Sequence, residues 1–399
     1  MIRYIARRTV QMFVLFIIFL TLTFLLLTAL PGDTVKQRFA TNPNIPPEAA
    51  QLAIERLGLD KPLWEQYTSY MWNFFRGDFG FSFLQYPRPV SDIILERLPR
   101  TLVLFLTVLV SYYILGFVAG KFIAWRRGRR GEHAITIGSV FLYTVFYPWF
   151  ALMLIWFFAF YADVVPINKF LDPQEWVDAP FSSNHVFMVI FGVMLVSGIA
   201  ALTLWIVSRR IRDSDLRRRT VWVGYGALAV VMLWFWYLSD FGSARRLYAG
   251  DILHHMILPV VTITLISFAG IMLLTRSSML ETMREDFILT ARAKGLAEKT
   301  VRDRHAARTA LLPVTTSLVI AVATVIDGGI ITETVYSWPG MGELLFTSVV
   351  GQDTNLAIAA FSFVGVMAMV GHLVVDILYV FLDPRIRVTG GVTMPEPVR

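Results

Sequence analysis

The sequence contains no cysteine, which excludes disulfides, thiolate chemistry and cysteine-ligated metals together. Charge is scarce as well: Asp, Glu, Lys and Arg make up 16% of the 399 residues, against about a quarter in a soluble domain. A phosphate loop of the form G-x-x-x-x-G-K-[ST] is missing. Its nearest lookalike, Gly116 to Lys121, is one residue short and has Phe122 where the hydroxyl would stand. The chain is therefore not expected to hydrolyse ATP itself. The adjacent His254 and His255 point apart on a helix with no carboxylate at i+3 or i+4, so an interfacial polar pair is expected there rather than a metal site. No cluster of His, Asp or Ser marks a catalytic centre, and no cofactor is expected.

What abounds is apolar. Hydrophobic residues make up 56% of the chain, with 31 Phe and 11 Trp. Eight apolar runs approach the ~20 residues that cross a bilayer as helix: 1–30, 101–124, 135–162, 186–207, 221–239, 256–275, 314–332 and 356–382. The first is too long for a signal-peptide core and ends in Pro31-Gly32-Asp33, so it is read as a retained span. Pro148 is expected to kink the third. Segment 31–100 is too polar to cross and carries amphipathic patches at 47–57 and 63–75. The fold class is thus all-α, a polytopic membrane protein of about eight spans. The net charge of +7 reads as topogenic Lys and Arg beside spans, not as a nucleic-acid surface. With the N-terminus inside, 24 basic residues fall on the inner side and 11 on the outer, which places both termini in the cytoplasm.

One polar island interrupts the apolar runs, residues 281–313 (ETMREDFILTARAKGLAEKTVRDRHAARTALLP). Ala291 and Ala293 add little bulk, and Gly295 frees the backbone for a sharp turn. A second helical run, 298–312, is expected to follow, with Pro313 opening the next span. Helix, glycine turn and helix suit a groove on a soluble partner. Arg292 and Lys294 could pair there with acids. Elsewhere, Asp327 and Asp376 stand inside spans, where an acid costs roughly 2.5–3.5 kcal/mol unless turned inward. Asp327 reads equally as pore-facing or as a helix–helix hydrogen bond. Asp376 reads as a helix–helix or a substrate contact.

Ordered motifs carry a resemblance. They are RYIARR, PGD, ERLGLDKPLWEQY, GDFGFSF, RPVSDIILERLPRTL, HMILPVVTITL, SSMLETMREDFILTARAKG with RHAARTALLP, TETVYSWPGMG and VVDILYVFLDPRIR. Over residues 1–167 and 255–388 the chain resembles the permease subunits of dipeptide and oligopeptide ATP-binding-cassette importers, specifically the first of the two permeases in such systems.

The resemblance implies a six-span core of the type I importer kind, a second permease, two ATPase subunits inside and a substrate-binding protein outside. It also implies the plasma (inner) membrane of a prokaryote. Segment 168–254 departs from the family pattern and is read as an inserted pair of spans; 389–399 is a tail. Residues 281–312 correspond to the coupling loop, with Ala291, Arg292, Ala293, Lys294, Gly295 and His305 as ATPase-coupling residues. Leu289 and Thr290 stand where the wider superfamily has a glutamate.

On the outer side, Pro339, Gly340 and Gly342 shape a tight turn in which Tyr336, Trp338 and Met341 are expected to present apolar surface. With Asp327 and Glu333, that loop is expected to touch the binding protein or line the pathway. A membrane-interface anchor is the alternative for Trp338. The rival class is an ion-coupled secondary transporter using Asp327 and Asp376. No internal repeat of the kind such transporters show is found.

Overall fold

The computed structural model describes residues 2–28, 61–82, 84–126, 128, 130–167, 170–211, 213–237, 242–325 and 329–382. Pro31, Gly32 and Asp33, the 47–57 patch, Asp327, the side chain of Asp376 and the 389–399 tail lie outside that description. Among the described residues the fold is helical, with one isolated bridge between Phe81 and Pro89.

In chain order the helices are α1 Ile2–Thr28, α2 Leu63–Arg76, α3 Val90–Trp125, α4 Arg130–Thr144 and α5 Tyr147–Leu154, which continues as a π-helix over Ile155–Tyr161. Then come α6 Ser183–Arg210, α7 Ser214–Tyr237, α8 Gly242–Thr282 and α9 Asp286–Ala293. After a turn at Glu298–Thr300 and a π-helical turn at Val301–Ala306 follow α10 Ala307–Thr324, α11 Ile330–Val335, α12 Met341–Val350 and α13 Thr354–Leu382.

Among the described residues six helices are long and apolar enough to cross a membrane: Arg7–Leu26, Val90–Trp125, Ser183–Ser208, Leu247–Thr282, Glu298–Val322 and Asn355–Leu373. A seventh crossing exists only if α4 and α5 count as one, and these meet at 105°. Pro148 thus does more than kink the third run: with Pro148 in the first turn of α5, the chain breaks and restarts. The eighth expected span is not found among the described residues, because the apolar part of α7, Arg219–Val231, is shorter than a bilayer requires. Pro313 does not open a span either. It sits inside α10, which continues from the polar island without interruption.

The bundle is organised on α3 and α8, which run side by side in the same direction. Glycines permit their close approach. A Cβ at Gly116 would stand 2.7 Å from Ile271 Cβ, and one at Gly120 would stand 2.5 Å from the Met272 carbonyl. The lookalike of a phosphate loop is therefore a small-residue helix contact. α6 lies against the pair through Val186, Phe187 and Ile190, buried with Val103, Leu104, Tyr248, Ile252 and Trp338. On the other flank the amphipathic α2 packs along α1. Phe74 and Tyr67 meet Phe16 and Phe24 at 5.5 and 5.4 Å, and the Tyr67 and Thr21 hydroxyls lie 2.8 Å apart.

Candidate functional site

The polar island folds as a compact handle on the ends of α3 and α8. Its short helix α9 is two-faced. Ile288 and Ala291 turn inward and are buried with Ala124 of α3, Met279 of α8, and Val301, Ala306 and Ala310. Leu289 is 57% and Phe287 40% exposed, and Thr290, Arg292, Ala293, Lys294 and Gly295 also face outward. Gly295 ends the turn at φ +74°, and a Cβ placed on it would meet nothing within 4 Å. This is the left-handed conformation that glycine adopts without penalty. The Leu296 amide closes the turn on the Ala291 carbonyl at 3.3 Å.

Ala291 is covered by its own chain. Arg292 is already paired within the handle, its Nε 3.1 Å from Glu298 Oε1, and its guanidinium lies 5.9 Å from the Trp125 ring. His305 is half-buried in the π-helical turn. Phe287, Leu289 and Lys294 are among the groups facing out. Leu289 is exposed at a position the motifs marked only as a departure.

The outer loop is corrected more strongly. Trp338 and Met341 are fully buried and Tyr336 nearly so; Pro339, Gly340 and Gly342 are buried as well. The expected apolar surface is absent because the turn folds back onto the start of α3. Trp338 Nε1 donates to the Arg100 carbonyl at 3.2 Å, and its ring meets Phe187 edge-on at 5.6 Å and Phe170 at 6.4 Å.

Glu333, fully buried, is the knot. Thr101 Oγ1 donates to its Oε1 at 2.8 Å, and the Glu343 amide donates to its Oε2 at 2.9 Å. The same Thr101 hydroxyl accepts from the Met341 amide at 2.7 Å. Burial pushes the Glu333 carboxyl up to about 7, against the opposing pull of the Glu343 and Gly342 amides and the Thr101 hydroxyl. Gly340 is required by this knot: a Cβ there would lie 2.5 Å from the Glu333 carboxyl carbon. Beside it, the Tyr336 hydroxyl lies 2.5 Å from Thr262 Oγ1 of α8.

Of the remaining polar candidates, His255 Nδ1 lies 3.1 Å from an Asp251 carboxylate oxygen one turn earlier, a partner on the side the sequence reading did not consider. Asp251 also accepts from Trp176 Nε1 at 2.8 Å, so the group braces the segment between α5 and α6. Among the described residues no three metal-ligating side chains converge. Thr101, Arg100, Lys121 and Asp303 are among the polar residues that sequence reasoning missed. The Thr and Arg of ERLPRTL sit at the mouth of a span, a placement that could have flagged them.

Long apolar helices with a folded polar handle at one end are the architecture of a polytopic membrane protein. The chain belongs to the family of binding-protein-dependent transport system inner membrane components, the permeases of ABC importers: that family's model matches residues 220–388 and the model of its N-terminal region matches residues 1–105. It is 30% identical over 387 residues to the dipeptide transport system permease protein DppB of Escherichia coli (strain K12), covering 97% of this chain and 99% of that protein. It is 31% identical over 387 residues to the di/tripeptide transport system permease protein DppB of Pseudomonas aeruginosa, with the same coverage. It is 28% identical over 386 residues to the oligopeptide transport system permease protein AppB of Bacillus subtilis, covering 97% of this chain and 99% of that one.

Proposed function

We propose that the chain forms half of a translocation pathway for peptides or similar small solutes, paired with a second permease. Two ATPase subunits dock at the handle, and a substrate-binding protein delivers cargo at the opposite face. The handle and both termini are then cytoplasmic, in the inner membrane of a prokaryote. Hydrolysis belongs to the partners, since this sequence has no phosphate loop of its own.

The observation that carries the reading is the two-faced α9. Its buried face fixes it to the ends of two spans, while its opposite face leaves Phe287 and Leu289 exposed beside Lys294. A folded polar loop with unpartnered apolar side chains is built to be covered by protein. A groove that moves when ATP closes the ATPases then carries the attached spans between two states. Arg292 braces the loop through its pair with Glu298.

Segment 168–254 acts here as packing around the core, since α6 covers Trp338 and the upper part of α3. The test is peptide uptake into vesicles holding the four-subunit complex with its binding protein. Uptake should stop on ATP depletion and persist when the proton gradient is collapsed. The opposite pattern would favour the ion-coupled transporter.

A further inference from the structure

The handle and the outer loop, at opposite ends of the bundle, are both fastened to one helix. Between Thr101 and Lys121 α3 runs without a proline, a length of about 30 Å at 1.5 Å per residue. At the handle end, Lys121 Nζ lies 3.2 Å from Asp303 Oδ1. Arg302 grips the same carboxylate through Nε and Nη2 at 2.9 and 2.8 Å. Trp125 lies beneath two guanidiniums of the handle, Arg292 at 5.9 Å and Arg302 at 6.0 Å. Ala124 is buried among Ile288, Ala291 and Val301.

At the far end, Thr101 holds Glu333 and the first amide of α12, while the Arg100 carbonyl holds Trp338. Along its length α3 is keyed to α8 by Gly116 and Gly120. The covalent route through α10 is less direct, whereas α8, to which α3 is keyed, runs into the handle and meets the outer loop through Thr262 and Tyr336. α10 ends at Thr324, and α11 starts afresh at Ile330 with Gly329 in non-helical backbone (φ −130°, ψ 89°).

We propose that α3 is the connecting rod by which motion of the handle reaches the outer loop, with Lys121 and Thr101 as positioning residues at its two ends. This rests on the transport reading above. A continuous hydrogen-bonded helix transmits displacement along its axis without changing length, so a handle drawn by its partner shifts Thr101. Glu333 and the start of α12 then follow, because their hydrogen bonds to Thr101 are buried and have no water to exchange with. The Lys121–Asp303 pair is partly exposed (27% and 34%) and contributes little to stability. Its loss is therefore expected to appear in coupling and not in assembly.

The experiment uses the absence of native cysteine. In the complete transporter, reconstituted in vesicles with its binding protein, a single cysteine replaces the exposed Ser337. Its labelling by an impermeant maleimide is followed with and without a non-hydrolysable ATP analogue, alongside uptake per ATP hydrolysed.

The unmodified rod should give a nucleotide-dependent labelling change of about fivefold or more. Thr101→Val should abolish that change and Lys121→Ala reduce it, each lowering uptake per ATP, while Thr101→Ser and Lys121→Arg restore both. A parent-like response in Thr101→Val and Lys121→Ala would overturn the rod. So would failure of the conservative variants to restore it. No nucleotide response in the parent would overturn the transport reading and the rod with it.

Discussion

Replacing Trp338 with alanine is the perturbation for which the structure gives the clearest magnitude. The indole is fully buried, meets two aromatic rings at 5.6 and 6.4 Å and donates one hydrogen bond to a main-chain carbonyl. Truncating a core Trp costs about 3–5 kcal/mol, the lost transfer free energy plus the cavity. Each aromatic contact contributes about 0.5–1.5 kcal/mol of such a loss and the hydrogen bond about 1 kcal/mol.

The folded-to-unfolded ratio of the isolated subunit should then fall by roughly two to four orders of magnitude. Trp338→Phe, which keeps a ring in the pocket but loses the Nε1 donor, should cost about 1–2 kcal/mol. Reversible unfolding of purified subunit in mixed micelles titrated with sodium dodecyl sulfate measures both. A surface anchor or a contact for the binding protein would give a different pattern, near-parental stability with altered stimulation of ATP hydrolysis. If Trp338→Ala lies within about 1 kcal/mol of the parent, the packing argument is wrong.

Two further outcomes follow from the same knot. Glu333 titrates near 7 when folded against an ordinary value of 4.5, so between those values the native chain holds a proton that the unfolded chain has released. Its stabilising contribution is full below the lower value and is lost as pH rises through the upper one. Micellar unfolding midpoints should therefore improve on acidification from neutral pH, and Glu333→Gln should flatten that dependence; an unchanged slope would contradict it. Gly340→Ala and Gly295→Ala should separate: the first drives a methyl into the Glu333 carboxyl and destabilises the fold, whereas the second meets open space and costs only about 1–2 kcal/mol for its left-handed backbone. Equal thermal shifts in the two variants would refute the contrast.

Class and handle were legible in the sequence because both are written in composition. Apolar runs of bilayer length and an island of Lys, Arg and Glu keep their meaning whatever the packing. Facing is not written that way. Eight residues of α9 make about two turns, too few for periodicity to show that Ile288 and Ala291 point inward and Leu289 outward. The aromatics of YSWPGM read as surface because a proline and two glycines usually mark exposed turns. Here the glycines instead let a carboxylate and a helix start come within contact of the backbone. Pro313 misled for a related reason: a bundle can re-satisfy the carbonyl a proline frees, so the helix passes through it. The pair Gly116 and Gly120 carried a helix-packing signal all along, at a small-xxx-small spacing.

The transport reading turns on whether an ATPase subunit covers the exposed face of α9. Single cysteines at Leu289, Lys294 and Ala291, each in the cysteine-free chain within the assembled transporter, can be treated in native membranes with a short bifunctional thiol reagent. Cross-links from Leu289 and Lys294 to an ATPase subunit, with none from the buried Ala291, are the predicted result. Cross-linking from Ala291 alone, or from none of the three while uptake remains ATP-driven, would contradict it.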